Sequence, residues 1–245
     1  MATEGTIPDA AKNDAYAAAD KVEKFFAANL GMSLDRDVRI LIVPNRDAYI
    51  QANIRENKVT LQEAERRAKT TRAWSQGSLI IQNVGDATLN SSSERVFNIA
   101  HELVHQYQSQ VSGGRHTRME WLAEGAADAI AAKILEIEKL QTLAEYRAKR
   151  ISVIKKAKKY PSVAELELAK NWYAALDKYG SRVTYRVADI AVLELLNNFD
   201  HKDLFAYFAA VKTTDPKEAF EAVFKKPIAG FFAEADEVIR AEIQK

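Results

Sequence analysis

Residues 91–128 read SSSERVFNIAHELVHQYQSQVSGGRHTRMEWLAEGAAD, and the organisation of the remaining chain follows from how this stretch folds. Ser91 and Glu94 have the spacing of a capping box. In such a box the serine hydroxyl takes a backbone N–H and the glutamate reaches back to the serine's own N–H. Behind it Val96, Ala100, Leu103, Tyr107 and Val111 recur at spacings of three and four, the apolar face of an α-helix. Asn98, His101, His105 and Gln108 form a polar stripe beside that face, and Gly113-Gly114 ends the helix. His101 and His105 therefore lie one turn apart on one side of an ordered helix. That spacing lets two imidazole nitrogens meet one ion at about 2.0–2.1 Å. Glu102 is turned about 100° round the axis from His101. It is badly placed to be a third ligand and well placed to take a proton from a water on the ion.

A second helix can supply the third ligand. Thr117 and Glu120 repeat the capping-box spacing and predict a helix from Trp121 to about Leu140. Glu124 and Asp128 stand one turn apart on it. A catalytic zinc site has three protein ligands and an open fourth position, and a ligating histidine gives its other N–H to a carboxylate. Glu124 as ligand and Asp128 as that carboxylate meet both needs from one helix. Glu120 is a rival ligand, although its capping role accounts for it, and Asp128 is a second rival. Gly125, Ala126, Ala127, Ala129, Ala131 and Ala132 are small enough to let this helix approach a neighbour closely.

These residues carry a family resemblance. His-Glu-Leu-Val-His at 101–105 followed by Trp-Leu-Ala-Glu-Gly at 121–125 resembles the gluzincin zinc metallopeptidases, in particular the peptidase MA-like domains of bacteria. The Glu124–Asp128 spacing is similar to the thermolysin-type pattern. The resemblance is sharp over residues 91–128 and fainter across 41–198. It implies a zincin-like fold and one Zn2+ per chain, held by His101, His105 and Glu124. It further implies hydrolysis of peptide bonds by a zinc-activated water, with Glu102 as general base. The family also uses a tyrosine or histidine to hydrogen-bond the oxyanion. Tyr185, in Tyr185-Arg186-Val187-Ala188, matches its Tyr-x-x-Ala setting, with Tyr173 and Tyr179 as alternatives. The long metzincin motif does not fit, because it needs glycine where Gln108 stands and histidine where Val111 stands. His116 reads as a solvated loop histidine and His201 as a structural one at a helix start. The competing readings are a zinc- or peptide-binding module of the same fold that does not cut, and a helical scaffold whose two histidines merely hydrogen-bond Glu124.

The remainder of the chain gives the fold class. Asp9–Leu30 reads as an amphipathic helix stopped by Gly31, and Val38–Val43 as a buried strand. Helices are expected over Asn45–Ile54 and over Thr60–Thr71, the latter opened by Thr60 and Glu63. Arg72–Gln76 and Leu79–Asn83 flank Gln76-Gly77-Ser78 as a hairpin. The family resemblance implies that an edge strand binds extended substrate by strand addition, and Leu79–Asn83 is the candidate for it. Lys133–Lys159, Ala164–Tyr179, Arg182–Asn197, His201–Val211, Asp215–Phe224 and Ile228–Ile243 all read as helix. The expectation is an α+β, mostly helical protein. Residues 1–112 make a small α/β part with a short mixed sheet above the metal-binding helix. Residues 113–245 make a helical part carrying the third ligand, and the two form one compact catalytic unit with the cleft between them.

With 35 Lys and Arg against 34 Asp and Glu, the net charge is +1. That gives no electrostatic pull towards nucleic acid, so the expected partner is a peptide or protein substrate. No apolar run reaches the ~18 residues of a membrane span. The chain has no cysteine, which excludes disulfides and thiolate ligands and leaves histidine and carboxylate for a metal. A chain without cysteine suits the cytoplasm and equally an exported bacterial protein with its signal peptide removed, towards which the reading leans.

Overall fold

A computed structural model describes residues 1–245. The chain is α+β and mostly helical, with one small mixed sheet. It divides into two compact units, Met1–Tyr107 with Ile137–Leu140, and Gln108–Glu136 with Gln141–Lys245.

The first unit contains β1 (Ala2–Thr3), α1 (Asp9–Leu30), β2 (Arg39–Val43), α2 (Arg46–Asn57), α3 (Leu61–Thr70), β3 (Ala73–Gln76) and β4 (Leu79–Asn83). It also holds α4 (Ser92–Ser112) as far as Tyr107. The sheet order is β1-β2-β4-β3, with β1, β2 and β4 parallel and β3 antiparallel to β4. β2 reads Arg-Ile-Leu-Ile-Val and is apolar on both faces, as a central parallel strand should be. Side chains alternate along it. Leu41 and Val43 join Leu79, Ile81, Tyr49 and Ala52 in one core cluster under α2, while Ile40, Ile42 and Ile80 are buried on the opposite face. On that opposite face the Gln82 amide donates to the Arg95 carbonyl (3.3 Å) and to Asn98 Oδ1 (3.1 Å), both on α4.

Hairpin strands form where the sequence places them, but the edge assignment is overturned. β4 is interior, paired with β2 on one side and β3 on the other, and all five of its residues are buried. The edge strands are β1 and β3. A run as apolar as Leu-Ile-Ile belongs in the middle of a sheet, while Trp-Ser-Gln tolerates an edge.

The second unit holds the end of α4, then α5 (Glu120–Ile137) as far as Glu136, α6 (Leu143–Lys156), α7 (Ala169–Tyr179), α8 (Ser181–Leu195), α9 (His201–Ala210), α10 (Pro216–Phe224) and α11 (Ile228–Gln244). Two expectations need correction. The long helix over 133–159 is two helices: Lys139 is left-handed at φ 57°, and Thr142 and Glu145 form a full capping box that opens α6. The capped start at Thr117 is instead a 3-10 turn, His116–Met119, and α5 begins at Glu120. The Ser112 hydroxyl takes the backbone N–H groups of Arg115 and His116 (3.0 Å each), which holds that turn tight. The Glu120 carboxylate accepts the Tyr173 hydroxyl (3.1 Å).

Trp121, fully buried, stacks on Phe231 with ring centres 5.8 Å apart and touches Phe220 and Phe232. Gly125 sits against α8. A Cβ added there would lie 2.7 Å from the Ala188 carbonyl oxygen and 2.6 Å from Val192 Cγ2, so only glycine permits this approach.

Candidate metal centre

The capping box that opens α4 is formed in full: the Ser91 hydroxyl accepts the Glu94 N–H (3.2 Å) and the Glu94 carboxylate accepts the Ser91 N–H (3.0 Å). Further along, Arg95 pairs with Asp14 of α1 at 2.7 Å and Tyr107 stacks on Phe26 at 3.7 Å. These contacts fix the rotation of α4. Leu103 and Tyr107 are buried, and His101 and His105 stay half-buried beside them. The two imidazole Nε2 atoms lie 3.0 Å apart, with the rings at 89° to one another.

On α5, Glu124 offers a carboxylate oxygen to the same place. One ligand atom each from His101, His105 and Glu124 lie within 4.8 Å of one another. The α5 backbone beside it is held by the Gln108 amide, which donates to the Ala123 carbonyl (2.9 Å), and by Trp121 and Gly125 as described. Two nitrogens bound at 2.0–2.1 Å to a tetrahedral ion are roughly 3.3 Å apart. The observed pair is close to that, and two imidazoles with one carboxylate are a donor set that suits zinc. The group could hold a metal ion.

Glu102 is on the same turn as His101 but buried, at 8% exposure. Its charge is felt by the Tyr49 hydroxyl, whose pKa is raised first by burial and then by Glu102.

Asp128, one turn beyond Glu124, is 4% exposed and belongs to a buried charged cluster. Its Oδ2 accepts from Arg186 Nη1 (3.0 Å) and from the Tyr146 hydroxyl (3.3 Å). The same Arg186 nitrogen donates to Asp189 Oδ2 (2.6 Å), which also accepts Arg150 Nε (3.2 Å). The Arg150 guanidinium lies 3.7 Å over the Tyr146 ring. Burial, and then the charge of Asp128, push Asp189 up to about 7, with Arg186 and Arg150 opposing. Sequence reading missed this cluster. Its signal was legible: Asp189 stands inside Val187-Ala188-Asp189-Ile190-Ala191-Val192, an otherwise apolar helical run, and a carboxylate so placed needs buried partners.

Tyr185 is half-buried on α8, its ring edge-on to Trp172 at 5.0 Å. Tyr179 donates to Glu165 (2.8 Å). His116 sits in the 3-10 turn. His201 is the first residue of α9 and lines a cavity of about 410 Å³ with Lys133, Arg147, Leu196 and Phe199; none of the candidate metal or catalytic residues lines it. Burial lowers the pKa of His201.

Comparison with models of known protein families, with curated proteins and with solved structures gives no match to this chain. No helix is long and apolar enough to cross a membrane.

Proposed function

We propose that the protein is a zinc-dependent metallopeptidase of zincin-like, gluzincin-type fold. The observation that carries the reading is the convergence of His101, His105 and Glu124 within 4.8 Å, with an acid directly after the first histidine. His101, His105 and Glu124 would hold the ion. When bound, zinc supplies Lewis acidity towards water and towards a substrate carbonyl. Glu102 accepts a proton from the attacking water and returns it to the leaving amine, and its burial supports that role because a desolvated carboxylate is a stronger base. Tyr185 is the candidate donor to the developing oxyanion. It lies one turn before Ala188, the residue whose carbonyl abuts Gly125 beside Glu124. The substrate class is an extended peptide or protein segment.

The test pairs metal content with turnover on a mixed peptide library. Zinc near one per chain is expected in the parent protein and in Glu102→Gln. The latter is expected to cleave about 10²–10⁴-fold more slowly, the usual worth of a positioned base. His105→Ala is expected to lose both properties. A Glu102→Gln variant cleaving at the parent rate would refute the base assignment. Stoichiometric zinc without cleavage by the parent would point instead to a binding module.

A further inference from the structure

Glu124 and Asp128 are one turn apart on α5 and share a helix face. Whatever grips the Asp128 carboxylate therefore also sets the rotation of the turn that presents Glu124. Among the groups that grip it are the Arg186 guanidinium at 3.0 Å and the Tyr146 hydroxyl at 3.3 Å. Arg186 is not a free surface cation reaching inward. Its Nη1 is shared with Asp189 at 2.6 Å, and Asp189 is itself 1% exposed and held by Arg150. The chain of contacts runs from α6, through Tyr146 and Arg150, and from α8, through Arg186 and Asp189, to a single carboxylate on α5. Two guanidinium groups and one hydroxyl face two buried carboxyl groups within it, so removing one partner leaves the others buried and short of a contact.

We propose that Arg186 is a positioning residue for the metal centre: by bridging Asp128 and Asp189 it locks α5 in the rotation that directs Glu124 towards His101 and His105. The inference rests on the metal-site reading above. A cluster serving only to hold the helices together would not need to converge on the turn after a ligand. A fork-shaped guanidinium spans two carboxylates where a lysine ammonium cannot.

Zinc affinity of the folded protein, measured by competition with a chromophoric chelator, separates positioning from plain stability. Outer groups that orient metal ligands are typically worth 10–100-fold in affinity. Arg186→Gln is expected to bind zinc about 10-fold or more weakly, with the helical circular dichroism of the apoprotein retained. Arg186→Lys, which keeps the charge but not the bridge, is expected to fall between it and the parent. Tyr146→Phe removes one hydroxyl from Asp128 and should weaken binding by a few-fold, and it serves if the arginine variants do not fold. Arg147→Gln is the control. Arg147 pairs with Glu194 and Glu242 across α6, α8 and α11, and neither pair includes a member of the Asp128 cluster. It should lower thermal stability and leave zinc affinity unchanged. Parent-like affinity in Arg186→Gln, Arg186→Lys and Tyr146→Phe would overturn the proposal, as would an equal loss in Arg147→Gln. A parent protein that binds no zinc would instead remove the metal site itself.

Discussion

Asp189 is a buried carboxyl group whose charged form the fold disfavours. Its Oδ2 takes two guanidinium donors, yet Oδ1 is buried with no hydrogen-bond donor, and Asp128 stands beside it. Burial and the neighbouring carboxylate outweigh the two cations, so the folded protein holds the Asp189 proton up to about pH 7, against an ordinary value of 3.8. The unfolded chain releases that proton near the ordinary value. Between about pH 4 and 7 the folded state thus binds more protons. This group's contribution is complete below the unfolded value and is lost as pH rises through the folded one. Asp189→Asn resembles the protonated form and cannot titrate. Relative to the parent, the variant is expected to gain stability from pH 4 to pH 7, read by denaturant unfolding at each pH. A parent that gains relative to the variant over that window would show that the arginines, not burial, govern Asp189.

At the scale of elements, the approach of α5 to α8 turns on a missing side chain. Gly125→Ala places a methyl group 2.7 Å from a backbone carbonyl oxygen, which cannot move as a flexible side chain could. Overpacking of this kind costs about 1–3 kcal/mol, so thermal unfolding should drop measurably, and zinc binding should weaken because Glu124 precedes the displaced residue. An unchanged unfolding temperature would mean that the two helices slide apart freely. The glycine was legible in the sequence as one of a run of small residues, and so was the contact it serves, though not its partner. Local signals served well elsewhere. α1 spans Asp9–Leu30 as its periodicity and Gly31 indicate, and the Thr60 cap opens α3. The capping box at Thr142 and Glu145 is equally local, but the apolar periodicity of Ile134 to Ile154 runs on across the break and hides it. What could not be read was pairing at long range. Strand order depends on which faces find each other, which is why sequence alone does not separate the interior β4 from an edge. The two-residue strand β1 has too little sequence to announce itself. The Asp128 cluster draws on five residues between 128 and 189, on three helices, whose meeting only the fold decides.

For the molecule as a whole, composition gives no hint of a ligand: charges nearly cancel and no cysteine is present. On the proposed function, metal binding and folding would be linked. The three candidate ligands come from two helices, with eighteen residues between His105 and Glu124. An unfolded chain therefore presents at most a loose pair of imidazoles, so zinc held by all three would favour the folded state. At about 100-fold over its dissociation constant a ligand of the native state adds about 2.7 kcal/mol. In a chain of this length each kcal/mol moves the midpoint by about 2–4 °C. Zinc is therefore expected to raise the thermal midpoint of the metal-stripped protein by roughly 5–11 °C. Glu102→Gln should show the same rise, since it removes no ligand, and His105→Ala should show little. Magnesium at equal concentration should have almost no effect, because two imidazoles and one carboxylate suit zinc and not a hard, oxygen-seeking ion. A rise of the same size in His105→Ala would assign the stabilisation to some other site and leave the His101–His105–Glu124 group without a metal.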